Sequence, residues 1–384
     1  MLESILRGLS GLGSGGIELF SSQGLPNLVM LFVAAGLLYL GVKKQVEPLL
    51  LVPIGFGGLL ANVPLGDLMQ EGGLLRILYD MGISNELFPL LIFIGIGAMI
   101  DFGVLLENPK ILLFGAAGQI GIFLTLLLAL GLGFTQLEAV SIAIIGAMDG
   151  PTAIYVTSQF APHLLGAVSV AAYSYMALVP IIQPPIMRAL TTQKERVVRM
   201  GTLKKSVSPT AKLLFPIVVT LVTGLIAPKG LPLMGTIMLG NFMRECGVVA
   251  RLTKASENEI ANIVTLFLGL AIGGTMEGKA FLTPQTLLIF GLGFIAICLD
   301  TVAGVLFGKL VCWASGGKVN PLIGAAGISA YPMAARVVQR QGQRYDKKNY
   351  LLMHAAGANT GGQIGSVMAA AVMLSVLNGM GLIA

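Results

Sequence analysis

The sequence predicts an all-α polytopic membrane protein, a transporter bundle of inverted repeats with about five crossings and one re-entrant or broken segment per half. Three observations lead there. Of 384 residues, 55% are hydrophobic and 11% charged, against about 25% charged in a soluble domain. Roughly a dozen stretches approach the ~20 apolar residues that a spanning helix needs. The stretches also fall into two similar sets separated by a basic linker.

The first set lies at 26–42, 48–66, 87–105, 110–134, 138–158 and 164–187. The second lies at 211–228, 231–249, 260–276, 284–312, 320–335 and 350–382. The expected organisation is a Gly/Ser-rich interfacial segment at 1–25, a first membrane repeat at 26–187, a basic cytoplasmic linker at 188–210 and a second repeat at 211–384. The apolar run within 1–25 is too short for the core of a signal peptide.

The repeat shows in order and spacing. PLLLVPIGFGG from Pro48 answers PLMGTIMLGNF from Pro232. IGIGAMIDFGVLLENP, ending at Pro109, answers LAIGGTMEGKAFLTP, ending at Pro284. IGAMDGPTAIYVTSQ from Ile145 answers IGAAGISAYPMAARVVQ from Ile323. Asp101 to Gly146 spans 45 residues, and Glu277 to Gly324 spans 47.

Charge sets the expected topology. Lys43–Lys44, the linker 188–205 and the stretch 336–348 are basic, so they belong on the cytoplasmic side. Loop 67–86 carries Asp67, Glu71, Asp80 and Glu86 against Arg76, which suits the outside. Five segments separate Lys44 from Arg188. Both can be cytoplasmic only if 138–158 enters the membrane and returns, and 320–335 needs the same repair. These two segments are also the most hostile to helix. Gly146, Gly150 and Pro151 interrupt the first; Asn320-Pro321, Gly324, Gly327 and Pro332 interrupt the second. Odd crossing numbers invert the halves, a plan whose ion sites lie at the midplane on discontinuous helices.

Asp149 is the leading candidate for chemistry. It lies between Gly146 and Gly150-Pro151 with apolar flanks. A charge at membrane depth costs roughly 2.5–3.5 kcal/mol on insertion scales and faces a cavity or a partner. A carboxylate beside carbonyls freed by glycine and proline suits a hard cation, and a protonatable carboxylate can exchange that cation for H⁺. Asn320 and Ser329 offer oxygens in the matching broken segment, which Gly324 opens. Arg336 follows two turns on, as an interface cation or an anion binder. Asn359, with Thr360 and Gln363, and Tyr175 are polar groups inside apolar segments. They complete an ion site or bond between helices. Asp101 and Glu277 read as interfacial; Asp300 is embedded, as an ion or proton ligand or a buried hydrogen-bonding group.

Other classes are excluded. Three cysteines without metal-like spacing and two histidines offer no transition-metal site. No glycine-rich loop follows a strand, and no Walker lysine is present. The net charge of +6 sits in short loops between apolar spans, so it is no nucleic-acid footprint.

EPLLLVPIGFGGLLAN, GAMDGPTAIYV, YSYMALVPIIQPP and NPLIGAAGISAYPMAARVVQ resemble, in this order, the β subunits of sodium-ion-translocating, biotin-dependent decarboxylases. Members serve oxaloacetate, methylmalonyl-CoA, glutaconyl-CoA or malonate decarboxylases. The resemblance extends to HAAGANTGGQIGS and covers nearly the whole chain. It implies that Asp149 is the family's essential aspartate and that Asn359 pairs with it at the Na⁺ site. It implies functional roles for Tyr175, Asn320, Gly324, Ser329 and Arg336. It further implies carboxybiotin, carried on a biotin carrier protein, as the group decarboxylated. Its expected partners are a carboxyltransferase α subunit and a small membrane γ/δ-type subunit, in a bacterial cytoplasmic membrane, with room for a homo-oligomer. The chain is shorter than oxaloacetate-type members, which leans toward an acyl-CoA system. A stand-alone Na⁺/H⁺ antiporter or Na⁺–solute symporter fits composition, repeats and carboxylate equally; only the motifs separate the two.

Overall fold

A computed structural model describes residues 14–21, 24–45, 47–201 and 207–381. Residues 1–13 of the N-terminal segment and Lys204 and Lys205 of the linker lie outside them. Among the described residues the protein is helical, with no strand. Six helical stretches are long and apolar enough to cross a membrane: Leu25–Lys43, Pro109–Gly131, Pro162–Leu190, Pro209–Ile226, Pro284–Ala314 and Leu352–Gly379.

Helix α1 (Leu25–Lys43) is followed by α2 (Pro48–Ala61). Amphipathic α3 (Leu74–Gly82) occupies much of the expected acidic loop and meets α4 (Leu87–Met99) at a 61° bend. Next come α5 (Leu112–Ala117) and α6 (Ile120–Gly131), broken from each other at Gly118–Gln119. Helices α7 (Gln136–Ala143) and α8 (Gly150–Phe160) flank the Asp149 break, and α9 (Leu165–Leu190) closes the first half. The second half holds α10 (Pro209–Ile226), α11 (Leu231–Cys246), α12 (Ala261–Gly274), α13 (Pro284–Ala314), α14 (Met333–Tyr345) and α15 (Leu352–Gly379).

Exposed leucines and isoleucines cover the outside, as on α10, where Leu221, Leu225 and Ile226 point outward. Such a surface suits lipid, where apolar side chains need no burial in protein. Inside, small residues bring backbones together. Helix α2 packs on α12, and α4 packs on α11. A methyl group built on Gly57 of α2 would lie 2.3 Å from the Leu270 carbonyl oxygen; on Gly240 of α11 it would lie 2.0 Å from that of Ile94. Each pair is locked by a buried asparagine. Asn62 donates to the Met276 carbonyl at 2.8 Å, and Asn241 donates to that of Ile100 at 3.0 Å.

Two expected loops are otherwise. The basic stretch 336–348 is largely helix α14. Arg336, Arg340 and Arg344 recur every four residues along one face, while Ala334, Val337, Val338 and Gln341 are buried on the other. A helix with that pattern covers the core with one face and keeps its cations wet. The described linker is held down as well: Arg199 pairs with Asp346 at 2.6 Å, and Lys309 donates to the Leu190 carbonyl at 3.0 Å.

Candidate functional site

Both broken segments are hairpins. In the first, Thr135 caps α7 in a reciprocal pair with Glu138. The helix tightens to 3-10 at Ile144–Ala147, and Met148 then takes the left-handed conformation at φ 56°. Asp149 is extended, and Gly150-Pro151 opens α8; proline is tolerated there because first-turn N–H groups lack partners anyway. Past α8, His163 Nε2 lies 3.0 Å from Glu138 Oε1. The start and end of the segment therefore meet at one mouth, to which Gln285 of α13 also bonds through Glu138.

The second hairpin runs through a 3-10 stretch, Pro321–Gly327, an extended turn and α14. Asn320 at its start and Asn349 past its end both donate to the carbonyls of Arg196 and Val198, at 2.8–3.2 Å. This mouth sits under the linker. The tips of the two hairpins touch: the Ser329 N–H donates to the Ala147 carbonyl at 3.2 Å.

Helix α15 passes beside the junction, and its Gly-Gly step allows close approach. A methyl on Gly362 would lie 2.4 Å from the Gly327 carbonyl oxygen. From α15, Gln363 Nε2 donates to Asp149 Oδ2 at 2.7 Å. Thr152 Oγ1 donates to the same oxygen at 2.6 Å. Ser329 Oγ donates to the Gly362 carbonyl at 2.8 Å. Asp149 is 4% exposed and faces a cavity of about 400 Å³ that Tyr173, Gln363 and Ser329 also line. The cavity continues past Tyr331 and Pro332 toward Met99. Arg244, Asp101 and Arg336 lie within electrostatic reach of the Tyr331 phenol.

The structure thus brings Asp149 and Ser329 together and sorts the remaining candidates. Asn359 donates to the Ile328 carbonyl at 2.6 Å. Its Oδ1 is buried without a partner. The direct amide partner of Asp149 is Gln363, one helical turn on. Tyr175 donates to the Phe290 carbonyl at 2.6 Å and does not line the cavity. The tyrosine beside Asp149 is Tyr173, whose ring lies against Gly150 and whose hydroxyl is buried without a partner. Two residues along a helix turn a side chain by about 200°, so Tyr173 and Tyr175 face different neighbours. Asn320 works at the mouth of the second hairpin, away from the cavity. Gly324 is a packing position, where a methyl would lie 1.9 Å from the Gly304 carbonyl oxygen. Arg336 is exposed and makes no hydrogen bond or ion pair among the described residues.

Carbonyls of the second hairpin are already engaged. Gln183 donates to Ala325 at 2.7 Å and Gln119 to Gly327 at 3.1 Å. These glutamines were not singled out in the sequence; an amide within an apolar span was the available signal. Asp101 lies 3.7 Å from both Lys212 and Arg244, about half exposed, and Glu277 is exposed. No cluster of three metal-ligating side chains occurs among the described residues.

The family model of the "Na+-transporting oxaloacetate decarboxylase beta subunit" matches residues 26–377. The chain is 49% identical over 401 residues to methylmalonyl-CoA decarboxylase subunit beta of Propionigenium modestum, covering 98% of this chain and 100% of the relative. It is 51% identical over 353 residues to glutaconyl-CoA decarboxylase subunit beta of Acidaminococcus fermentans, covering 92% and 94%. Oxaloacetate decarboxylase beta chain of Klebsiella pneumoniae is 45% identical over 440 residues, covering 99% and 100%.

Proposed function

Since the chain belongs to the family of Na⁺-transporting oxaloacetate decarboxylase β subunits, we propose that it couples decarboxylation of carboxybiotin to outward movement of Na⁺ past Asp149. The observation that carries this reading is the Asp149 carboxylate itself. It is buried where two hairpin tips meet, bonded by Gln363 and Thr152, and open to a cavity. A carboxylate with neutral oxygen-bearing neighbours suits a weakly charged, hard ion, and its two charge states match Na⁺-bound and H⁺-bound forms.

Carboxybiotin supplies an N–CO₂⁻ bond, whose cleavage releases CO₂ and leaves N–H after uptake of one proton. The chain's own groups then have distinct tasks. Asp149 holds Na⁺ or a proton, with Gln363, Ser329 and Tyr173 as neighbouring oxygens. Arg336, at the cytoplasmic end of the second hairpin, suits the carboxylate of the carried group, because it is exposed and has no anionic partner among the described residues. A proton arriving at Asp149 displaces Na⁺ and is passed toward the cytoplasmic face. The two halves are inverted repeats, and reciprocal packing of α2 on α12 and α4 on α11 supports that arrangement. Alternating access follows from movement of the hairpin core against these four helices. The complex includes a biotin carrier protein, a carboxyltransferase subunit and a small membrane subunit, in the bacterial cytoplasmic membrane. Higher identity to the acyl-CoA decarboxylase relatives supports an acyl-CoA substrate for the complex.

The experiment is Na⁺-dependent decarboxylation of carboxybiotin in sealed vesicles, with Na⁺ movement followed in wild type and Asp149→Asn. CO₂ release that needs Na⁺, moves it and fails in the variant supports the pump. Untouched carboxybiotin beside Na⁺ movement driven by a pH gradient favours an antiporter instead.

A further inference from the structure

Helix α13 holds an acid that the Asp149 cavity does not use. Asp300 is 0% exposed, and among the described residues no side chain bonds its carboxyl oxygens, which face only the backbone N–H groups of Gly121 and Ile122 without well-formed hydrogen bonds. It is wedged between glycines of two other elements. A methyl on Gly121, in the first turn of α6, would lie 2.4 Å from Oδ1; a methyl on Gly146 would lie 2.7 Å from Oδ2. Gly146 belongs to the tip of the first hairpin, three residues before Asp149. Only glycine leaves room for the carboxyl at either place.

Among the described residues, no cation faces this group. Helices α5, α6 and α9, the first hairpin and the 3-10 arm of the second pack on α13. Their charged residues are directed elsewhere. Lys110 is exposed, and Arg188 donates to the Pro184 carbonyl. Glu138 bonds His163 and Gln285, while Asp149 bonds Thr152 and Gln363. On α13 itself, Lys309 donates to the Leu190 carbonyl. Tyr175 is engaged by Phe290. The first turn of α6 is the one feature that favours an anion: the Gly121 and Ile122 N–H groups face the carboxyl, although the Ile122 N–H also donates to the Gln119 carbonyl. Burying an unpaired charge costs more than a helix N-terminus returns.

We propose that Asp300 is a second proton-binding carboxyl of the membrane core, separate from the Asp149 site. It is occupied while Gly146 packs against it and releases its proton when the hairpin tip moves away. The packed tip thereby requires a proton, so the position of the hairpin is coupled to protonation on the side of the tip away from the cavity. Only the tip movement rests on the transport reading; the proton site stands without it.

The test is infrared spectroscopy of the full-length protein in lipid nanodiscs at neutral pH. The wild type is expected to show a protonated-carboxyl stretch that Asp300→Asn removes and Asp149→Asn leaves in place. Gly146→Ala, which presses a methyl on the carboxyl, is expected to shift that band, and it serves if Asp300→Asn yields no stable protein. A band unaffected by both variants means an ionised cap on α6 and overturns the proposal. In vesicles, wild-type Na⁺ transport is expected to fall about tenfold per alkaline pH unit beyond its limit, while Asp300→Asn, which imitates the protonated acid, keeps a flatter profile. An identical alkaline limb in both also overturns it. Loss of Na⁺ transport by the wild type with the Asp300 band intact defeats the transport reading alone.

Discussion

The Ser329 N–H donates to the Ala147 carbonyl across 3.2 Å, and this bond joins two hairpins that begin at opposite mouths. One mouth is closed by Glu138 and His163, the other by Asn320 and Asn349 on the linker. Each tip supplies a neighbour to the same cavity, Asp149 from one and Ser329 from the other.

The two mouths are expected on opposite sides of the membrane. Single cysteines placed at His163 and Gln285, in a chain whose Cys246, Cys298 and Cys312 are replaced, should react with a membrane-impermeant thiol reagent from outside. Cysteines at Arg336 and Arg340 should react only from the cytoplasmic side. Labelling of both sets from one side would refute the hairpin arrangement.

Gln363 rather than Asn359 bonds the aspartate directly. Gln363→Leu should raise the Na⁺ concentration for half-maximal transport by roughly tenfold, the loss of one charge-assisted hydrogen bond of about 1.5 kcal/mol. Asn359→Leu removes the donor to Ile328 instead and should lower thermal stability more than it changes Na⁺ dependence. Na⁺ titration of transport beside thermal unfolding separates the two effects.

Tyr173 and Tyr175 should exchange the roles that the family resemblance implies. Tyr173→Phe removes a hydroxyl facing the Asp149 cavity and should weaken Na⁺ dependence several-fold at unchanged stability. Tyr175→Phe removes the second hydrogen bond to the Phe290 carbonyl and should cost about 1 kcal/mol of stability, with Na⁺ dependence retained. The opposite pattern would return the site to Tyr175.

Gly324→Ala should destabilise the protein without touching the cavity. Its methyl would meet the Gly304 carbonyl oxygen of α13 at 1.9 Å, backbone against backbone with no flexible end to yield. Overpacking of this kind costs about 1–3 kcal/mol. Thermal unfolding in detergent reads it directly, and an unchanged midpoint would show that the two backbones can part freely.

The linker responds to acid through Asp346. The hydrogen bond and charge of Arg199 hold its carboxyl below the usual aspartate range. A depressed folded value contributes stability above about pH 4, the unfolded value, and that contribution is lost as pH falls through the folded value. Hydrogen exchange at residues 196–201 should therefore rise on acidification below about pH 4. Asp346→Asn should give the same rise at neutral pH; equal protection in both proteins would mean that the ion pair does not hold the strap.

Much of this protein is legible in its sequence. Low charge and long apolar runs determine that it belongs in a membrane, because nothing else could cover such a surface. Gly146, Gly150-Pro151 and Asn320-Pro321 mark where helices break, since proline lacks an N–H and glycine forgoes helix stability. Asp149 stands out because an acid among apolar residues needs a reason. The tertiary structure alone decided which side chains meet it. Helices α13 and α15 are apolar on nearly every face, so no hydrophobic stripe reveals their rotation. Gln363 over Asn359, Tyr173 over Tyr175 and the burial of Asp300 between Gly121 and Gly146 all depend on that rotation. So does the course of 336–348: its arginines announced a wet face, but only packing against the core made the stretch a helix.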